Sequence, residues 1–222
     1  YATAVSLILN DSLAANEKAV LHISNLKCVD NLLLDSLSLR VSLPQQVMAG
    51  DVVINEILFN PKADGVDYIE ILNISEKVLD LSSLLVTKRK GDYFDVPVSI
   101  TNRQALCFPG DYWVLTSDPT VVCKQFSCAT LAHFAPLAIP SMNDDEGSVV
   151  LVLRDGTVVD EFSYSAKMHH PFVINSEGVS LERVNPFRPT QAPDNWQSAS
   201  FESGYGTPGS QNSQYSVPSI TT

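Results

Sequence analysis

Val53-Ile54-Asn55-Glu56-Ile57-Leu58-Phe59-Asn60-Pro61 is followed, after a short polar break, by Asp67-Tyr68-Ile69-Glu70-Ile71-Leu72-Asn73. Both runs are rich in branched and aromatic residues and carry polar side chains at intervals of about two, the period of a half-buried strand. Asn60-Pro61 and Asp64-Gly65 between them are turn signals, so the pair reads as two antiparallel strands. Working outward, the same texture marks further strands at Val5 to Leu9, Ala19 to Ile23, Leu37 to Leu43, Val78 to Leu81, Leu84 to Lys88, Tyr112 to Thr116, Ser148 to Leu153, Val158 to Tyr164 and Ser180 to Val184. Lys90-Gly91-Asp92, Pro109-Gly110-Asp111, Glu146-Gly147, Asp155-Gly156 and Glu177-Gly178 punctuate them. No segment sustains a 3.6-residue period. The chain is expected to be all-β, an antiparallel sandwich with Greek-key links.

Length and charge bound the rest. The 222 residues suit one large domain or one domain and part of another, and 45% hydrophobic with 18% charged residues is an ordinary globular balance. Residues 1–43 hold too few strands for a stable sheet of their own and read as the C-terminal strands of a preceding β-sandwich. Residues 44–50 read as a linker and 51–213 as the main domain. Residues 214–222, after a turn toward Gly, Ser, Gln, Asn, Pro and Thr, read as a flexible tail. Fourteen basic against 25 acidic residues leave a net charge of −11, which excludes the positive field that binds phosphate backbones or anionic lipid. No apolar run is long enough for a membrane span, and no signal peptide opens the chain. The expectation is a soluble, truncated or processed piece of a larger polypeptide, with no nucleic-acid partner and no membrane insertion.

Cys28, Cys107, Cys123 and Cys128 match neither a zinc ribbon nor a redox CxxC pair. Cys123 and Cys128 bracket a hairpin-sized gap that a local disulfide can close, while Cys107, between Leu106 and Phe108, reads as a small apolar filler. The sequons Asn10-Asp11-Ser12 and Asn73-Ile74-Ser75 are read as chance.

The opening pair of strands, with Leu79-Asp80-Leu81-Ser82 after it, resembles the start of the lamin-tail domain in the version found in secreted bacterial proteins. The likeness continues through Tyr112-Trp113-Val114-Leu115-Thr116, Gly147-Ser148-Val149-Val150-Leu151, Asp155-Gly156-Thr157-Val158-Val159-Asp160 and Tyr164. It closes with Gly178-Val179-Ser180-Leu181-Glu182-Arg183, Asn195-Trp196 and Gly204-Tyr205-Gly206-Thr207-Pro208-Gly209. Ser24 to Asn31 is similar to the late strands of bacterial immunoglobulin-like modules. The resemblance implies an immunoglobulin-like β-sandwich with an additional N-terminal β segment, a structural signature at Asn55, Glu56, Glu70, Asn73, Asp160, Tyr164, Glu182, Arg183 and Trp196, and no catalytic residues. It also implies a secreted, periplasmic or cell-surface setting and further domains of the same polypeptide. The charge of −11 and the want of a coiled-coil rod depart from nuclear lamins, and with them the expectation of chromatin contact.

Glu56, Glu70 and Glu182 lie inside apolar runs, where a carboxylate must face water or find donors. Arg183 adjoins Glu182, so the two point to opposite faces and each needs another partner. Hydrogen bonds that fix strand register or pin loops at the sandwich ends are expected; a groove floored by carboxylates is the alternative. Trp196 is expected to close an end of the sandwich with its indole N–H on a carbonyl, and Trp113 to do the same.

Candidate chemistry is thin. Gly204 to Gly209 has the letters GxGxxG but lacks the strand before and helix after that a dinucleotide site needs. His133, His169 and His170 with Asp160 and Glu161 are the one assembly that could hold a hydrolytic metal, yet adjacent histidines on extended chain diverge, and exposed loop histidines are expected. Asp144, Asp145 and Glu146 before a strand are weak calcium candidates without the EF-hand alternation. GxSxG and P-loop motifs are absent. Lys88-Arg89-Lys90 is the sole basic cluster. The long excursion Pro119 to Met142, with Phe126 and Phe134, is the first candidate for a binding loop, or else a flap folded on the core. The reading is a non-enzymatic structural or interaction module for adhesion, spacing or binding of protein or surface glycan, without a cofactor, calcium aside. The alternatives are a metal-dependent hydrolase or its accessory domain, and a nucleic-acid module by analogy with lamins.

Overall fold

The computed structural model of the chain describes residues 8, 12–14, 16–27, 33–128 and 133–217. The expected strand at Val5 to Leu9 therefore lies outside the described residues except for Ile8, and Cys28 lies outside them too. The first described strands, β1 (Ala19–Lys27) and β2 (Leu33–Val41), form a two-stranded antiparallel hairpin, both longer than their apolar stretches suggested.

Beyond it the chain builds a two-layer sandwich. One layer has six strands. Its centre is β3 (Val52–Leu58) and β4 (Tyr68–Asn73), the pair that opens the sequence reading. The short strands β5 (Leu79–Asp80), β6 (Leu84–Thr87), β7 (Arg89–Lys90), β8 (Tyr93–Phe94), β9 (Val98–Ser99) and β10 (Leu106–Cys107) follow. Then come β11 (Tyr112–Thr116), helix α1 (Pro119–Gln125), β12 (Phe134–Pro136), β13 (Glu146–Leu153), β14 (Val158–Ser165), β15 (Leu181–Arg183) and β16 (Trp196–Ser198). The large layer has the order β12-β11-β4-β3-β15-β16 and the second layer β14-β13-β6-β9. Ile54, Ile57, Ile69, Ile71, Leu115 and Leu181 from the first meet Val86, Val149, Leu151 and Phe162 from the second in one buried cluster. The chain is thus an all-β, immunoglobulin-like sandwich, as the alternation of the strands requires. Trp196 is buried, stacks on Phe162 at 3.7 Å between ring centres and donates its indole N–H to Thr190 O at 2.8 Å. Half-buried Trp113 stacks on His133, and its N–H has no hydrogen-bond partner among the described residues.

The excursion after β11 differs from a plain loop. Asp118 caps α1 by accepting from the N–H groups of Thr120 and Val121, with Pro119 at the first helical position. Val122 of the helix, its C-cap Phe126 and Phe134 of β12 pack with Leu58, Tyr68 and Val114 on the outer face of the large sheet. β12 adds to β11 in parallel. The excursion is therefore a flap whose aromatic residues are spent on packing, because an exposed Phe126 and Phe134 would leave that face of the sheet bare. Cys123 and Cys128 are joined as a disulfide that ties the end of α1 to the chain just beyond it, and Cys107 is a free, buried thiol. No helix among the described residues is long and apolar enough to cross a membrane.

Candidate functional site

The feature that stands out lies on the outer face of the six-stranded layer, opposite the core. Between Ile54 and Glu56 the β3–β4 register shifts, a bulge that inserts Asn55. Two residues then separate the core-facing Ile54 and Ile57, and both Asn55 and Glu56 turn outward. Glu56 pairs directly with Glu70 of β4 on one side and with Glu182 of β15 on the other. The three carboxyls form a row across three adjacent strands, each 0% exposed.

What covers them is the C-terminal segment Gly204–Gln214. Gly206 lies so close to Phe126 and Tyr68 that an added Cβ would come within 2.6 Å of the Phe126 ring, so the segment can seat only with glycine there. Glu56 Oε1 accepts from Tyr68 OH at 2.6 Å, Ser180 Oγ at 2.5 Å and the Thr207 N–H at 2.9 Å. Glu70 accepts from Asn55 Nδ2 at 2.9 Å and from the Gly209 N–H at 2.6 Å. Glu182 accepts from Ser213 Oγ at 2.7 Å and the Gln214 N–H at 2.8 Å. Thr207 Oγ1 sits 3.0 Å from Glu56 Oε2 and 2.9 Å from Glu182 Oε1. Asn212 completes the clasp, donating to the carbonyls of Asn55 and Arg183 and accepting from Asn55 Nδ2. Beyond it, Ser216 N still donates to Val184 O.

None of the ion pairs among the described residues includes the row. Burial, and then the Glu182 charge, push the Glu56 carboxyl up to about 7. Burial and the Glu56 charge hold Glu70 well above the usual range, and burial beside Glu56 does the same to the Tyr68 phenol. Chemically the row is closed: protein donors occupy it, and no oxygen of it faces open space.

The rest of the signature is also fastened. Arg183, pointing away from Glu182, is 2% exposed and donates to Ile54 O, Asp160 Oδ2 and Arg188 O, joining β14, β3 and β15. Asp160 also accepts from Ile54 N and from Thr190 Oγ1. Asn73 bonds Lys77 O, Cys107 O and Ser75, pinning the loop after β4. Tyr164 stacks on Phe59, and its hydroxyl bonds the backbone of Asn143.

The other candidates do not converge. His169 is buried instead of exposed, because it packs beside Phe59 and bonds Ser198 Oγ through Nδ1; burial pulls its pKa down to about 4. His170 is exposed, and His133 lies against Trp113. Glu161 is held by Arg89 at 2.7 Å, and Lys88 is tied to Ser141, so two members of the basic cluster are spent locally. Asp144, Asp145 and Glu146 are exposed, and no group of three or more His, Cys, Asp or Glu among the described residues is placed to hold a metal. A surface cleft lined by Lys62, Asp64, Lys124, Gln125 and Glu177 sets two cations beside two carboxylates without a nucleophile–base pair.

The sequence reading missed that the C-terminal segment supplies the donors. The signal was available: three carboxylates in apolar runs need hydrogen-bond donors, and Gly204–Gln214 is rich in Thr, Asn, Ser and Gln yet poor in apolar side chains. Comparison with curated proteins finds no match. A family model described as Lamin Tail Domain matches residues 45–166, more than half of the chain, starting where Gln45 bridges to Leu79 and Val47 enters the core. That domain is an immunoglobulin-like interaction module, and a sandwich whose buried acids clamp its own C-terminal segment fits it. By its strands, its core and this match, the chain belongs to the Lamin Tail Domain family.

Proposed function

We propose that the chain is a non-catalytic spacing and adhesion module of a larger secreted or cell-surface protein, and that the β1–β2 hairpin is its contact surface. One observation carries this reading. The hairpin pairs Ala19 with Val41, Leu21 with Leu39 and Ile23 with Leu37, so one face is an apolar ladder. Leu37 and Leu39 are 38% and 41% exposed, and among the described residues no third strand pairs with either edge. An isolated two-stranded sheet of this kind is marginal in water, so the ladder is suited to strands of a neighbouring β-domain of the same polypeptide.

Among the described residues, Arg40 is the hairpin side chain that bonds to the sandwich. Arg40 reaches Asp111 with two hydrogen bonds of 3.0 and 2.7 Å and stacks over Phe108 at 4.3 Å. The Cys123–Cys128 disulfide supports an oxidising compartment.

Amide hydrogen exchange of Val20 to Lys27 and Ser36 to Val41, compared between this chain and the polypeptide of the complete reading frame, tests the proposal. The expected result is at least about tenfold slower exchange in the longer polypeptide, since edge amides gain partners. Equal exchange in both, or a frame without a β-domain before Tyr1, would contradict it.

A further inference from the structure

Three fully buried carboxyls side by side raise a question of charge. Like charges directly opposite on neighbouring strands repel, and a buried ionised carboxylate without a cation is costly. No Lys, Arg or His side chain among the described residues bonds to the row. The titratable groups that face it are Tyr68 and Glu70 from β4, Glu182 from β15, Tyr112 from β11, and Tyr215 just beyond the covering segment. Arg183 offers this side only its carbonyl, to Asn212.

The hydrogen bonds locate a proton. Thr207 Oγ1 touches Glu56 Oε2 and Glu182 Oε1, yet a hydroxyl has one hydrogen and can donate to one of them. Two ionised oxygens there would leave one without a donor. Glu56 sits in the middle of the row, so neutralising it relieves the repulsion on both sides at once, whereas neutralising either end relieves one. Glu56 Oε1 faces three donors, with the Ser180 hydroxyl nearer to it at 2.5 Å than to Tyr205 O at 3.3 Å, which leaves Oε2 as the oxygen that carries hydrogen. Glu70 has a donor on each oxygen, so its hydrogen bonds do not call for a proton as those at Glu56 Oε2 do, although burial and the Glu56 charge raise its carboxyl as well.

We propose that Gly204–Gln214 is a proton-linked strap, in which Glu56 Oε2–H donates to Thr207 Oγ1, the Thr207 hydroxyl donates to Glu182, and closing takes up one proton that opening returns to solvent. The raised Glu56 carboxyl agrees with this. Opening the strap hydrates the row, whose acids then ionise at ordinary carboxylate pH. Acid therefore favours the closed form and alkali the open form, and the strap uncovers the polar face of the large sheet as pH rises.

Hydrogen exchange at Thr207, Gly209 and Gln214, the amides that donate to Glu56, Glu70 and Glu182, reads the opening directly in the full chain across pH 5 to 8. After correction for intrinsic chemical exchange, the opening constant is expected to rise by about tenfold per pH unit from about 5 to about 7 and then to level. Glu56→Gln, whose amide donates to Thr207 without a titrating proton, is expected to flatten that slope and to leave the strap at least about tenfold more protected than wild type at pH 8. Wild-type protection that is constant or rises with pH, or a Glu56→Gln slope equal to wild type, would overturn the proposal. Should Glu56→Gln fail to fold, the infrared stretch of a protonated carboxyl in the wild-type chain decides: it is expected at pH 6 and weaker at pH 8, and its absence at pH 6 refutes the strap's proton.

Discussion

Single side chains in this protein carry more than their size suggests. Arg183 is the largest fully buried side chain among the described residues and serves β14, β3 and β15 together. Replacing it with Met leaves Asp160 buried beside no cation, which is expected to lower unfolding free energy by about 3–5 kcal/mol in urea titration. A loss under about 1 kcal/mol would mean that Asp160 finds other support. His169 and Glu56 act on acid stability in opposite directions. The folded His169 titrates near 4, below its ordinary 6.5, so its neutral form is the stable one and stability falls as pH drops through that window. The folded Glu56 titrates near 7, so its contribution is present in full below the usual carboxylate range and is lost as pH rises toward 7. The two nearly mask each other between about 4.5 and 6.5. His169→Asn, which keeps a bond to Ser198 but does not ionise, is expected to expose the Glu56 trend as a steady loss of unfolding free energy from pH 4.5 to 7. A profile unchanged from wild type would remove His169 from the account.

At the level of elements, the long central strands were legible in the sequence and the short ones were not. β3 and β4 declare themselves by alternation over 7 and 6 residues, whereas β7, β8, β9 and β10, 2 residues each, are set by neighbours and have no period to read. Helix α1 was missed because 7 residues span two turns, too few for a 3.6 period, although Asp118-Pro119 is a start signal. The row of acids was legible as three residues in need of donors, but its assembly depends on the bulge at Asn55, which shifts Glu56 onto the face of Glu70. No local pattern announces a bulge. Reducing Cys123–Cys128 enlarges the unfolded ensemble of this small loop, for an expected loss of about 2 kcal/mol. The loss should appear as faster exchange at the α1 amides and at the amides that exchange only through global unfolding. Arg40→Ala releases the hairpin from Asp111 and Phe108, and limited proteolysis is expected to cut residues 42–50 sooner while thermal unfolding of the sandwich stays put. Cleavage at the wild-type rate would show that the hairpin is held by something other than Arg40.

For the whole molecule, the fold is a packed sandwich with two appended surfaces: a hairpin with an apolar face toward one end of the described residues and a strap over buried acids toward the other. Membership of the Lamin Tail Domain family accounts for the sandwich. The family match ends at residue 166, before β15, Glu182 and the strap, so the acid row is completed by the part of the chain that the match does not reach. The strap holds by hydrogen bonds to carboxyls, and for that reason a polar, glycine-rich composition did not mark it as ordered. Those carboxyls fasten the C-terminal segment to the large sheet. Urea unfolding of the full chain and of a chain ending at Ser203, each from pH 4.5 to 8, measures that fastening. The full chain is expected to lose at least about 1.4 kcal/mol per pH unit, one proton's worth, on the rising side of Glu56 once His169→Asn is built into both, with Glu70 able only to steepen it. The shortened chain is expected to be less stable at pH 5 and to show no such slope, its acids being open to water. Equal stability and equal slope in the two chains would contradict it.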